Sequence, residues 1–303
     1  MTRLRIGSRG STLALAQSNW VKQRLVGHYA DLQVDLTVIK TSGDRFVDTP
    51  IPAIGGKGVF TKEIEEALLR NEIDIAVHSM KDLPTVLPDG LTIAAVPARE
   101  DARDVLVSRD GRHVNDLPTG ARVATGSLRR RTQLLHYRGD LALVPIRGNV
   151  DTRLRKLDGG EADALVMAAA GLKRIGRADR IIEYLPDEVC VSAVAQGALG
   201  IESRDDGSVR QLLAFLHDRK SHAEVMAERA LLNRLGGGCH VPIGARARVE
   251  GDSLKIVGVV ASLDGKTICK ANLAGPAVMA AGLGRNLAEQ LLKDGADKIL
   301  ATA

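Results

Sequence analysis

The sequence predicts an α/β protein: two similar α/β lobes around a cleft, plus a small C-terminal α+β domain with an antiparallel sheet. Three observations point there. A strand–helix–strand rhythm opens the chain. The same rhythm returns between residues 122 and 168 with local sequence matches. After Ser221 the pattern changes to alternating strands. With 303 residues the chain can form more than one hydrophobic core.

In order, Leu4–Gly7 reads as a strand, and Ser11 opens a helix running to about His28. Gln33–Lys40 alternates as a strand, Lys62–Asn71 is an amphipathic helix, and Ile73–His78 is an apolar strand. This rhythm predicts a sheet of parallel strands. A charged stretch, Ala98 to Asp104, joins the first lobe to the second. There Arg122–Thr125 leads through Gly126-Ser127 into a helix over Leu128–Tyr137. Leu141–Ile146, Val150–Leu157 and Ala162–Ala168 follow as strand, helix and strand. Asn71 to Val77 matches Gly160 to Val166, and Ile6-Gly7-Ser8 is paired with Thr125-Gly126-Ser127. A second crossing near Val191–Gly200 returns the chain to the first lobe, and two crossings make a hinge. Ser221 and Glu224 form a capping box for a helix to Leu235. Ala245–Glu250, Leu254–Ser262 and Thr267–Leu273 alternate as strands, and a helix over Pro276–Asp294 closes the chain.

Composition excludes several classes. Aromatics are 2% of residues, too few for the stacking platforms of single-strand nucleic-acid binding. No apolar run approaches a membrane span, and the N-terminus lacks a secretory apolar segment, so a cytoplasmic location is expected. The net charge is +5, but Arg122–Lys156 holds nine Lys/Arg against two Asp, leaving the remainder of the chain negative. Eight of those nine are arginine, the planar fork that matches carboxylate or phosphate oxygens. A ligand with several anionic groups is the reading preferred over a merely solvated basic face. A solute-binding protein for an organic anion would also fit the lobes and arginines, but not the cysteine loop. A nucleic-acid module would need a groove-entering element that is not evident.

Three cysteines with no C-x-x-C pair argue against a zinc ribbon or redox dithiol. Cys190 and Cys269 lie in apolar runs and are expected in the core. Cys239 sits in Gly236-Gly237-Gly238-Cys239-His240-Val241-Pro242, where the glycines remove bulk and open the thiol to a large group. A small apolar residue in a turn is the alternative. A Cys239–His240 nucleophile pair is disfavoured because neighbours on an extended loop diverge. In Val77-His78-Ser79-Met80-Lys81-Asp82-Leu83-Pro84 the polar groups fall just past the end of a buried strand, where ligands gather. Lys81 and Asp82 then read as an anchor cation beside an acid/base carboxylate, or as a mutual pair. Ser79 to Asp82 also carries a helix-start signature.

Those segments, with Gly55-Gly56-Lys57-Gly58, Ser127-Leu128-Arg129-Arg130, Arg147-Gly148-Asn149 and Glu228-Arg229, resemble the porphobilinogen deaminase (hydroxymethylbilane synthase) family, in family order over essentially the whole chain. The resemblance implies two lobes like those of periplasmic binding proteins, the first over residues 1–97 and 198–216 and the second over 102–192, with a C-terminal domain over 220–303. It implies a dipyrromethane cofactor joined to Cys239 by a thioether. Lys81, Ser127, Arg129 and Arg130 are its implied contacts, and Arg9, Ser11, Gln17, Lys57, Arg147 and Arg153 are the implied substrate contacts. Asp82 is the implied catalytic group, and no metal is implied. The implied reaction adds four porphobilinogen molecules head to tail to the primer, losing ammonia each time, and then hydrolyses off hydroxymethylbilane. The implied enzyme works as a monomer, without nucleic acid or membrane. Two departures stand out: Gly126 where the family commonly has serine, putting one hydroxyl contact in doubt, and the stretch Val191 to Gly197 at the second crossing, Ala195 within it, where the hinge is expected to flex differently.

Overall fold

The computed structural model describes residues 3–45, 60–237 and 241–302. The chain forms two compact units, Met1–Arg99 with Ala198–His222, and Glu100–Gly197 with Ala223–Ala303.

The first unit is built on a five-stranded sheet of β1 (Arg3–Ser8), β2 (Gln33–Val38), β3 (Ile75–Ser79), β4 (Leu91–Ala95) and β10 (Leu199–Arg204), in the order β2-β1-β3-β10-β4. Alternation along β3 sends Ile75 and Val77 to one face, clustered with Leu4, Ile6, Val21 and Leu25. Ala76 goes to the other face, with Ile64 and Leu68 of the Lys62–Leu69 helix. Each fully buried leucine or isoleucine contributes about 1.5–3 kcal/mol by leaving water.

In the second unit β5 (Asp104–Ser108), β6 (Arg122–Ala124), β7 (Ala142–Val144), β8 (Ala164–Ala168) and β9 (Glu183–Tyr184) form a second sheet, ordered β7-β6-β8-β5-β9. The two sheets have the same plan. β1 and β6 are the parallel centres, and β10 and β5 run antiparallel beside β3 and β8. Both sheets are therefore mixed rather than wholly parallel. β5 and β10 are the first strands after each crossing, so neither belongs to a βαβ unit that would force parallel pairing.

The duplication extends to side chains. Asp74 accepts the Arg5 backbone N–H at 2.7 Å and its guanidinium at 2.8 Å. Asp163 accepts the Arg122 backbone N–H at 2.8 Å and its guanidinium at 3.0 Å. Asn71 and Gly160, three residues earlier, share the left-handed conformation with φ of 57° and 83°. Ile6 pairs with Ile75 as Val123 pairs with Ala164, which equates Ser8 with Thr125. The sequence pairing of Ile6-Gly7-Ser8 with Thr125-Gly126-Ser127 is thus two residues out of register.

The second unit also contains an antiparallel sheet of β11 (Ile243–Glu250), β12 (Ser253–Ala261) and β13 (Ile268–Pro276). Gly258 lets helices approach it closely, since a Cβ there would lie 2.8 Å from Leu231 and 3.0 Å from Leu291. The helix over Arg219–Arg234 starts two residues before the predicted capping box. Asp218 is the cap, accepting the Ser221 N–H at 2.7 Å, while Glu224 accepts from Val249 N–H at 3.0 Å. A tertiary hydrogen bond has drawn Glu224 away from the helix end. Cys190 is buried as expected, whereas Cys269 is only half-buried on the edge strand β13.

Candidate functional site

In the first unit the loop after β1 and the N-terminal turn of the Thr12–His28 helix meet the end of β3 around an open pocket of about 400 Å³ including its mouth. Arg9, Ser11, Gln17, Phe60, Ser79 and Asp82 are among its lining residues. Ser11 caps the helix, its Oγ accepting the Ala14 N–H at 3.3 Å, so a helix N-terminus faces the pocket. The Arg9 guanidinium lies 4.1 Å from the centre of the Phe60 ring. Gln17 is buried and donates to Ser79 Oγ at 2.9 Å, which fixes the Ser79 hydroxyl.

β3 ends in a 3₁₀ turn over Met80–Asp82 rather than a capped helix; Ser79 precedes it without a side-chain cap. Met80 and Leu83 are buried and anchor the turn, while Lys81 and Asp82 between them are exposed. Gly200 makes room for the anchors, since a Cβ there would meet Met80 at 2.9 Å and Leu83 at 3.0 Å. The Asp82 carboxylate makes no hydrogen bond or ion pair among the described residues and is open to a pocket ligand.

In the second unit the basic segment divides by use. Arg122 and Arg138 pair with Asp163 and Asp140. Arg129 and Arg130, 5% and 6% exposed, converge on fully buried Asp104. Arg129 Nη1 donates to Asp104 at 2.6 Å and to the Val191 carbonyl at 2.7 Å; Arg130 Nε donates to Asp104 at 2.9 Å. Burial alone would raise the Asp104 pKa, but the two guanidinium charges hold it well below the carboxylate range. Two cations on one anion still leave an excess positive charge.

Arg147 and Arg153 receive no such carboxylate among the described residues. Arg153 Nε donates to the Gly148 carbonyl at 2.8 Å, and Arg147 makes no hydrogen bond or ion pair there. Burial, followed by the charges of Arg130 and Arg147, pushes the Arg153 guanidinium down to about 10. Ser127 stands at the N-cap position of the Leu128–Tyr137 helix, its hydroxyl uninvolved in the cap. Gly126 fits a tight contact, as a Cβ there would lie 2.9 Å from the Ile146 carbonyl oxygen. Ala195, at the second crossing, holds a left-handed φ of 59° with its N–H donated to Glu228. Lys57 and Cys239 lie outside the described residues.

A family model for the porphobilinogen deaminase dipyromethane cofactor binding domain matches residues 4–212, and one for the C-terminal domain of the same enzymes matches residues 222–293. The chain belongs to the porphobilinogen deaminase family. It is 54% identical over 301 residues to a porphobilinogen deaminase of Geobacter metallireducens, covering 99% of this chain and 94% of that one. It is 53% identical over 299 residues to one of Geotalea uraniireducens, covering 98% and 94%. Among solved structures, the periplasmic aliphatic sulphonate binding protein of Escherichia coli aligns with a TM-score of 0.41 at 14% identity, over 77% of this chain and 70% of that one. An arginine-specific periplasmic binding protein of Salmonella typhimurium gives 0.41 at 15%, over 71% and 92%.

Sequence reasoning about this porphobilinogen deaminase family member missed Asp104, Gln196 and the buried group Glu65, His78 and Glu202. Gln196 donates to Asp104 at 2.9 Å and to the Ala102 carbonyl at 2.8 Å. Asp104 falls in a charged stretch that reads as linker, and its burial follows only from β5 entering the sheet. Among the described residues no helix is long and apolar enough to cross a membrane, and no group of three or more His, Cys, Asp or Glu could hold a metal.

Proposed function

We propose that this chain is a hydroxymethylbilane synthase, adding four porphobilinogen molecules head to tail to a dipyrromethane primer tethered by a thioether at Cys239. The observation that carries this is the Arg130–Arg147–Arg153 cluster: the charges of Arg130 and Arg147 press on Arg153, and neither Arg147 nor Arg153 meets a carboxylate among the described residues. Such a cluster fits a ligand bearing several carboxylates, and each pyrrole of the primer and the substrate brings an acetate and a propionate. Each charge-assisted contact contributes on the order of 1.5–3 kcal/mol.

Arg147 and Arg153 are assigned to those carboxylates, with Arg9, Ser11 and Lys57 for the incoming substrate and Lys81 and Ser127 for the primer. Gln17 acts by holding Ser79. Arg129 and Arg130 contribute the positive charge left over from Asp104, and Arg130 extends it toward Arg153. When bound, the primer supplies the nucleophilic pyrrole α-carbon. Asp82 accepts the pyrrole N–H, supports the positive charge left as ammonia departs, and takes the proton released when the ring regains aromaticity. Asparagine there could accept a hydrogen bond but could neither offset that charge nor carry that proton.

The reading includes a cytoplasmic monomer with porphobilinogen as its small-molecule partner. It also includes three domains over 1–97 with 198–216, 102–192 and 220–303. The test is incubation with porphobilinogen while ammonia and linear tetrapyrrole are followed. The natural chain should release both, and Asp82→Asn should keep its primer and lose more than about 99% of turnover. Near-normal turnover in Asp82→Asn removes Asp82 from the mechanism.

A further inference from the structure

Behind the first-unit pocket lies a polar group inside the fold. His78 on β3, Glu202 on β10 and Glu65 on the Lys62–Leu69 helix are 5%, 0% and 7% exposed. His78 Nε2 is 3.0 Å from Glu202 Oε2, but neither that nitrogen nor either Glu202 oxygen has an aligned hydrogen bond among the described residues. Burial pushes the Glu65 carboxyl up, with Glu202 adding to the rise while the Thr61 hydroxyl and His78 oppose it. Thr61 and His78 also line the pocket, together with Arg9 and Asp82. Buried groups so poorly satisfied are costly, and a fold keeps them only for a reason.

The duplicated unit supplies an internal control. Ile75 and Ala164 are equivalent by sheet register, so His78 corresponds to Met167. Across the antiparallel pairing, Glu202 opposite Ala76 corresponds to Val107 opposite Leu165. The turns before β3 and β8 match bond for bond, Asn71 N–H to Leu68 O and Gly160 N–H to Leu157 O, which equates Glu65 with Leu154. Leu154, Met167 and Val107 sit together in one apolar core cluster. The same backbone plan therefore packs well with three hydrophobic residues at these positions. The plan does not require the acid–imidazole–acid trio, and only the unit with Asp82 carries it.

The geometry points to Glu65, His78 and Glu202 as positioning residues for the deamination step, holding net negative charge behind the pocket. The inference rests on the reading of that pocket as the porphobilinogen site. When the aminomethyl C–N bond breaks, both electrons leave with nitrogen as ammonia, and the positive charge passes from the ammonium to the conjugated ring. Two acids set against one base bias the buried trio toward negative rather than positive charge. That charge is fixed in a medium of low permittivity, where it acts on the cation without reorganising.

The test replaces the trio with its counterparts, Glu65→Leu, His78→Met and Glu202→Val together. The triple variant should melt at or above the temperature of the natural chain and bind an inert pyrrole dicarboxylate within twofold by calorimetry. It should also keep KM for porphobilinogen within twofold while kcat falls about tenfold or more. An unchanged kcat in the folded triple variant overturns the inference. If the triple variant melts lower, Glu202→Gln alone decides: a fall in kcat at constant KM supports the role, and an unchanged kcat refutes it. Asp82→Asn is assayed alongside. If it is fully active, the reading of the pocket fails. If it is inactive while kcat of the trio variants is unchanged, only the present inference fails.

Discussion

Replacing Arg153 with glutamine tests whether its cluster is built to hold an anionic ligand. An arginine ordinarily titrates above 12, and here it is held at about 10 by burial and by the charges of Arg130 and Arg147. That lowering corresponds to roughly 3 kcal/mol, and the half-buried side chain keeps about half of it after solvent screening. Losing the 2.8 Å bond to the Gly148 carbonyl returns about 1 kcal/mol. In a Cys239→Ser background, which lacks a thioether, Arg153→Gln should therefore be about 0.5 kcal/mol more stable in urea unfolding. Because folding lowers this pKa, the folded chain binds that proton less tightly than the unfolded one. The cost is full below about pH 10 and falls away only as pH rises from there toward the ordinary arginine range, so the variant's advantage should hold at about pH 9 and begin to shrink above about pH 10. With Cys239 intact, the same substitution should lower kcat/KM about 10- to 100-fold through one lost charge-assisted contact. A variant destabilised by more than about 1 kcal/mol, with an unchanged kcat/KM, would refute the reasoning.

Asp104→Asn should cost about 3–5 kcal/mol or prevent folding, because it leaves Arg129 and Arg130 buried without their anion; a urea midpoint within about 0.3 M of the natural chain would contradict this. Gly197→Ala should cost about 3 kcal/mol or more, since φ is 87° and a Cβ would lie 2.3 Å from the Glu100 carbonyl oxygen; chemical denaturation measures it. Arg147→Lys should raise KM for porphobilinogen about tenfold at unchanged fold, because the ammonium cannot reproduce the planar fork; unchanged steady-state kinetics would remove Arg147 from the ligand set.

Much of the architecture was legible because apolar period and turn chemistry are local signals. Ser11 marked the start of a helix, though its role as the cap came only with the structure, and the Asp74 and Asp163 segments showed that a unit recurs. What escaped is non-local. β5 and β10 gave no sign of antiparallel pairing, because strand direction depends on where a crossing enters the sheet. Ser221 and Glu224 satisfy the capping pattern locally, yet Val249 claims Glu224 and Asp218 takes the cap. The arginine segment was visible as charge, but its division was not. Arg129 and Arg130 find Asp104, some 25 residues away in sequence, while Arg147 and Arg153 find no carboxylate among the described residues. His78 and Glu202 are separated by more than a hundred residues, and only the sheet register brings them together.

The most direct test of the tethered-primer account is the intact mass of the active protein purified without denaturant. The account predicts a polypeptide heavier than its translated residues by one dipyrromethane, with the excess mapping to the peptide containing Cys239 and absent from Cys239→Ser. A fully active polypeptide weighing no more than its translated residues would contradict it.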